Sequence, residues 1–381
     1  MTRLPVPPPA ARFRHPLLRT RAGAIGLAVL AFMLAACVLS LPWTATSVVA
    51  GGAPRYEHQE RATPRMPPVW WPLNAAQKAE LAAAGVARPW ALLGTDVLGR
   101  DLLARCLFGG AISLGIGVAA AAVSVLLGTL YGAIAGFIGG RVDNLMMRAV
   151  DVLYGLPYIL LVVLLAVAVD GVLERWQAAR IQSAGARVES RVIELAASLS
   201  DTQKREPGRL TALRGQARAE IGSGELSAGQ VQAVNILTMV AAIGGVSWLT
   251  MARVVRGQVL SLKAQPFMEA ARAIGVPRRR QFSRHLLPNL VGPIVVYATL
   301  TVPQAILQES FLSFLGIGVR PPVPSWGNLA AEGLAELNTV QSNWWMLVFP
   351  CLLLASTLLA LNFVGESLRD AIDPKRVGGR A

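Results

Sequence analysis

Long uncharged runs dominate the hydrophobic pattern of this chain. Ala22–Leu41 holds 20 residues without a charge, Val152–Val169 holds 18, and Ile236–Ala252 and Trp344–Leu361 are of similar length. About 20 apolar residues, rising about 1.5 Å each, cross the ~30 Å hydrocarbon layer of a bilayer. Only a helix satisfies its own backbone in such a run. Two less uniform stretches extend the set: Gly-rich Ala111–Ile138, and Leu290–Leu307 with Pro293 and Pro303 inside it. The pattern predicts an all-α polytopic membrane protein with six spans, at about 22–41, 111–138, 148–169, 236–252, 290–308 and 344–363. The first run exceeds the roughly 7–15-residue apolar core of a signal peptide, and no small-x-small cleavage site directly follows, so it reads as a retained span.

Composition agrees. Of 381 residues, 54% are hydrophobic and 15% charged, too little polar surface to cover a soluble core. The net charge of +14 raises nucleic acid as a partner, but the arginines cluster beside spans with no aromatic stacking platform between them. Lipid headgroups and topology explain them better. Cys37, Cys106 and Cys351 lie in or beside spans and show neither metal-ligand nor disulfide spacing.

An even number of spans puts both termini on one side, and the positive residues choose it. The tail 1–21 carries Arg3, Arg12, Arg14, Arg19 and Arg21. The 254–289 stretch carries Arg256, Lys263, Arg272, Arg278, Arg279, Arg280 and Arg284, and the C-terminal tail Arg369, Lys375, Arg376 and Arg380. All three become cytoplasmic in one topology.

Inside 254–289 lies "EAARAIGVPRRRQFSRHLLPN" (Glu269–Asn289), a short helix with explicit ends. Pro266 suits the first helical position, Gly275 a left-handed stop, and Pro277 forbids continuation. Glu269 in the first turn suits the helix dipole. Phe267, Ala270, Ala271 and Ile274 share a face at i, i+3, i+4, i+7. Two adjacent alanines permit close approach by another surface. On the residues alone, a helix resting on lipid headgroups is equally open.

The spacing of Glu269, Ala270, Ala271, Gly275, Leu287 and Pro288 resembles the cytoplasmic loop of ATP-binding-cassette importer permeases. "LLGTDVLGRDLLARCLFGGAISL" (Leu92–Leu114), "ESFLSFLGIGVRPPVPSWGNLAAEG" (Glu309–Gly333) and "GESLRDAIDPK" (Gly365–Lys375) are similar to the C-type subunit of the dipeptide and oligopeptide branch. The resemblance implies a type I importer permease fold in the bacterial inner membrane, with 266–274 as a coupling helix that docks on an ATPase. It implies a heterodimer with a homologous permease, two ATPase subunits that bind ATP and Mg, an extracytoplasmic substrate-binding protein, and no cofactor in this chain. Peptides are the expected cargo, with nickel chelates or other small solutes of the same branch as the alternative. Two departures touch the region before span two: Ala91-Leu92 stands where the branch has His-Pro, and Gly109–Leu114 reads GGAISL for GARISL.

Other features are read from the residues. Asp96 is placed to cap a helix near Val97, and Arg100, Asp101 and Arg105 to form surface pairs. Trp326 in "RPPVPSWG" is expected at a membrane interface. Gly128, Gly132, Gly136 and Gly140 recur every four residues, a packing stripe for span three or a partner subunit. Asp143, Arg148 and Asp151 cluster at the start of span three; Asp151 and, in span five, Glu309 are the candidate gating or pore residues. Residues 170–235 exceed the family's short loop and form two apolar stripes, Ile181, Ala184, Val188, Val192, Leu195, Leu199 and Leu210, Leu213, Ala217, Ile221. They predict an extracytoplasmic helical hairpin, either a solvated spacer or a contact for the binding protein or partner permease. A membrane enzyme is disfavoured because G-x-S-x-G and H-E-x-x-H are missing and His15, His58 and His285 are scattered. A non-transporting scaffold is the third reading. No G-x-x-x-x-G-K-[ST] nucleotide loop occurs.

Overall fold

Twelve helices carry the architecture of the computed structural model, which describes residues 20–372 except 50, 61, 198, 200–207 and 338–341. The basic residues before Thr20 and after Ile372 lie outside the described residues. Among the described residues only isolated bridges stand in for strand pairing. The helices are α1 Arg21–Leu39, α2 Leu41–Ala45, α3 Ala75–Ala84, α4 Leu102–Ile138, α5 Gly140–Tyr154, α6 Tyr158–Ala197 and α7 Arg209–Ile221. They continue with α8 Ala228–Lys263, α9 Pro266–Ala273, α10 Arg278–Phe314, α11 Trp326–Ala335 and α12 Trp345–Ile372.

α4 is the axis of the bundle. At 37 residues it is about 55 Å long. It packs along α8 and α10, while α1 lies chiefly against α12 and α6 against α8. Apolar side chains gain little from meeting each other in lipid, so close backbone contact must hold helices together. The glycine stripe provides it. A Cβ on Gly132 would overlap the Ala252 carbonyl oxygen, one on Gly128 the Met251 side chain, and one on Gly136 Val259. These neighbours all belong to α8. The stripe therefore packs span two on span four, not on span three, and Gly140, past the break at Gly139, faces open space.

The span expected at 148–169 is not one helix. α5 and α6 meet at 93° around Gly155, Leu156 and Pro157. Pro157 has no N–H to continue the ladder and disfavours helix at Leu156. Counting this bent pair as one span gives six. α5 is amphipathic, burying Met147 and Val150 beneath a charged outer face.

Beyond a bilayer's thickness α6 runs straight into the first arm of the 170–235 hairpin. α7 is its second arm, and Val188, Val192, Leu213 and Ala217 form the seam. Arg191–Glu220 and Arg214–Glu189 bridge the arms on the outside. Ile181 and Leu210, assigned to the stripes, are exposed. The turn joining the arms, including most of "REPGR", lies outside the described residues.

At the end of the bundle opposite α9, residues 51–101, α11 and the start of α12 form a cap. Asp101, not Asp96, caps α4, accepting from the Leu103 N–H at 2.9 Å. Asp96 is fully buried instead, with Arg100 Nε and Arg105 Nη1 each 2.6 Å from its Oδ2. Arg105 reaches on to Glu332 of α11 at 2.5 Å. In place of the expected surface pairs stands a cluster of Arg100, Arg105 and Asp96, all buried because α11 folds over them, with Glu332 at its partly exposed edge. Trp326 is equally displaced from expectation. It is buried at the start of α11, its indole N–H donating to the Cys106 carbonyl at 3.0 Å, among Cys37, Leu114 and Ile306. At the rim, hydrogen bonds from Arg65 and then Asn343 hold the Glu336 carboxyl below the usual carboxylate range. A depressed folded-state value means that this pair's stabilisation is present above the ordinary Glu range and fades as pH falls through the folded value.

Two outcomes follow for stability in detergent, read by thermal unfolding. Gly132→Leu forces α4 off α8 and costs at least about 1–3 kcal/mol, whereas Gly115→Ala, which meets open space within α4, leaves stability unchanged or raises it by up to about 1 kcal/mol; a loss of equal size from both would remove the stripe's role. Arg105→Met removes its contacts to Asp96 and Glu332, with Arg100 still holding Asp96, and costs about 1.5–3 kcal/mol, while Arg65→Ala at the exposed rim costs about 1 kcal/mol or less.

Candidate functional site

α9 stands on the ends of the two longest-packed helices. Pro266 occupies its first turn with Glu269, and Arg272 lies in its last. The stop is a Schellman arrangement: the Val276 N–H donates to the Ala271 carbonyl and the Gly275 N–H to Arg272, each at 3.0 Å. Gly275 has φ +78°, a conformation that costs L side chains about 1–2 kcal/mol. Pro277 does not merely end α9; it is the N-cap residue from which α10 starts.

The apolar stripe read from the sequence splits in two. Met268 and Ala271 turn inward, Met268 packing with Ala133, Met251, Val255, Val259, Leu286 and Leu290. Phe267, Ala270 and Ile274 turn outward, with Ile274 79% exposed. The reason is geometric: Met268 fills the gap between the ends of α4, α8 and α10, and the helix rotates to admit it. An exposed apolar strip thus rides on a rigidly seated helix.

Three polar ties make the seat stiff. Lys263 Nζ donates to the Gly136 and Phe137 carbonyls at 2.9 and 2.8 Å, closing the end of α4. Gln281 Nε2 donates to the Val276 carbonyl at 2.6 Å. Arg272 Nη2 donates to the Lys263 carbonyl at 3.3 Å. α10 then begins with a wide π turn over Gln281–Leu286, followed by Leu287 and Pro288 at the start of regular α-helix. Pro288 offers no N–H to the preceding turn, and Asn289 Nδ2 instead donates to the His285 carbonyl at 2.6 Å. Pro293 and Pro303 lie inside α10 without dividing it.

α5 is strapped beside this site. Asp143 pairs in two-pronged fashion with Arg256 at 2.5 and 2.7 Å. Asp151 pairs with Arg253 at 2.8 Å, whose guanidinium lies 3.9 Å over the Tyr154 ring. The acids of α5 therefore join span four, rather than pairing with Arg148 at i, i+3 spacing. Asp151 is exposed. Glu309 is fully buried near the other end of α10, accepting from Ser313 Oγ at 2.7 Å and Ser310 Oγ at 3.3 Å. Ser313 Oγ in turn accepts from the Val319 N–H, so Glu309 braces the turn leading to α11. The fold does not bring Asp151 and Glu309 together.

Sequence reading missed a polar group inside the bundle. Tyr158 Oη donates to Gln308 Oε1 at 2.6 Å and lies 2.9 Å from Ser247 Oγ, tying α6, α8 and α10. Tyr158 and Ser247 each stand among apolar neighbours and Gln308 stands beside Glu309, so only their meeting marks them as a group. Nearby, Leu153, Tyr154, Leu156, Leu161, Val246 and Leu249 line a half-open groove of about 240 Å³.

Comparison with known proteins accords with this geometry. Residues 128–378 match the family described as binding-protein-dependent transport system inner membrane component. The chain is 39% identical over 295 residues to the oligopeptide transport system permease protein OppC of Haemophilus influenzae, covering 77% of this chain and 74% of that one. It is 41% identical over 282 residues to OppC of Escherichia coli K12, covering 74% and 72%. It is 37% identical over 282 residues to the dipeptide transport system permease protein DppC of Bacillus subtilis, covering 74% and 68%. With a family model matching 128–378 and relatives this similar over most of their length, the chain belongs to the binding-protein-dependent transport system inner membrane component family.

Proposed function

We propose that this chain is a pore-forming permease subunit of an ATP-driven importer whose cargo is di- or oligopeptides. The observation that carries the reading is α9: an exposed strip of Phe267, Ala270 and Ile274 on a helix locked by Met268 to α4, α8 and α10. A small-residue surface at Ala270 admits the cleft of a partner, and the stiff seat transmits a push to the spans. The relatives' names supply the cargo, and the sequence offers nothing that would hold it alone.

In this reading a homologous permease completes the pore. Two ATPase subunits bind ATP and Mg, engage α9 through Glu269, Ala270 and Gly275, and do the hydrolysis, so this chain is not itself an enzyme; Ala271, expected among the contacts, faces the bundle and seats the helix instead. Their movement passes through Leu287 and Pro288 into α10. A binding protein delivers cargo at the opposite face, near the cap and the 170–235 hairpin. Arg256, Lys263, Arg272, Arg278, Arg279, Arg280 and Arg284 cluster at the α9 end, which supports reading that end, and with it both termini, as cytoplasmic. Asp151 and Arg253 then lie at the cytoplasmic mouth, and Glu309 braces the outer one.

The test is ATPase activity stimulated by binding protein in vesicles holding the whole complex. Glu269→Lys and Gly275→Asp, in complexes that assemble to wild-type levels, lower stimulation and uptake together by about tenfold or more, or about 1.4 kcal/mol of coupling. Normal transport by both variants would reduce α9 to a surface helix and overturn the proposal.

A further inference from the structure

Beside α9 lies a cavity of about 500 Å³ lined by Phe137, Ile138, Lys263, Arg272, Arg278 and Gln281. Three of its six lining residues are cationic and none is acidic. The nearby acid of α5, Asp143, is already committed to Arg256. The N-terminus of α10 begins at Arg278 on the same wall, adding positive potential of the same sign. Lys263 is held in place by the Gly136 and Phe137 carbonyls, so its charge is fixed at the cavity wall rather than swept through solvent. Such a site takes a compact anion rich in oxygen acceptors.

A second observation identifies which anion. Leu126, Leu130, Ile134 and Ile138 are all exposed and recur at four-residue spacing along α4, on the opposite side from its glycine stripe. The last of them is part of the cavity wall. Exposed Val118 and Ala122 continue the same spacing, so the whole stripe runs about 30 Å from Val118 to Ile138, the ~30 Å depth of a bilayer's hydrocarbon layer. A lipid-facing apolar track thus ends in a basic cavity, and its half nearest the cavity, Leu126 to Ile138, lies where the acyl chains of one leaflet run. That combination matches a molecule with acyl chains joined to a phosphate group. Basic pockets between spans on the cytoplasmic side are built to hold such headgroups.

We infer that the Lys263–Arg272–Arg278 cavity binds the phosphate of an anionic phospholipid whose acyl chains lie along Leu126, Leu130, Ile134 and Ile138. The site touches α9 through Arg272 and α10 through Arg278, so an occupied cavity steadies the seat of α9. The inference needs the chain to span a membrane but does not need α9 to engage an ATPase.

The test is native mass spectrometry of the purified complex titrated with phosphatidylglycerol or phosphatidylcholine, with and without inorganic phosphate. Wild type retains phosphatidylglycerol in preference to phosphatidylcholine. Arg272→Gln and Arg278→Gln each weaken that retention roughly fivefold, as expected for one cation near an anionic surface. Arg279→Gln and Arg280→Gln, exposed on the same turn but outside the cavity, leave it unchanged. Equal weakening by all four would make this a diffuse basic surface and overturn the site. Equal retention of the two lipids, or no retention because the partner permease covers α4, would also overturn it. Displacement of the lipid by inorganic phosphate at matched concentration would assign the cavity to soluble phosphate instead. Arg278→Gln, which removes none of the ties that hold α9, separates this result from the coupling role: lipid loss with unchanged stimulated ATPase activity supports the cavity whatever α9 does.

Discussion

Backbone contact between α4 and α8 is the constraint on which the rest depends. In a bilayer, leucine gains nothing by leaving lipid for another leucine. Helices stay together only where they come close enough for dense van der Waals packing. Gly128, Gly132 and Gly136 remove side chains from one face of α4, and α8 fills the space with Met251, Ala252 and Val259. Once that pair is set, α10 crosses on a second face, where Gly117 meets Ile306. α6 then packs on the free side of α8. The end of the α4–α8–α10 core creates the gap that Met268 fills.

The two ends of the bundle solve different problems. At the capped end charges are buried, and they survive because they balance: Arg100 and Arg105 face Asp96 and Glu332 with short, oriented contacts. Such a cluster is costly to break and specifies one arrangement of cap on bundle. At the α9 end charges are more exposed and mostly positive. There, carbonyls at the end of α4 and acids of α5 hold some cations, Lys263, Arg253 and Arg256 among them. Arg278 is left facing a cavity. The bundle is thus tied rigidly at one end and carries unspent positive charge at the other.

Helix type, approximate span positions and the limits of α9 could be read from the sequence alone, because each follows from local chemistry. Uncharged runs of membrane length become helices; Pro266 starts α9 and Gly275 ends it through its own backbone preference. Tertiary structure decided what each residue faces. Asp96 reads as a helix cap and Arg105 as a surface charge until α11, more than two hundred residues later, closes over them. The Gly stripe declares close approach but cannot name its partner. Phe267 and Ala271 share an apolar pattern, yet one points out and the other in, because Met268 has the space beneath it. Tyr158, Ser247 and Gln308 meet only through packing of three spans. Local propensity is encoded within a few residues, whereas orientation and pairing depend on contacts between distant segments, and only the folded bundle brings those together.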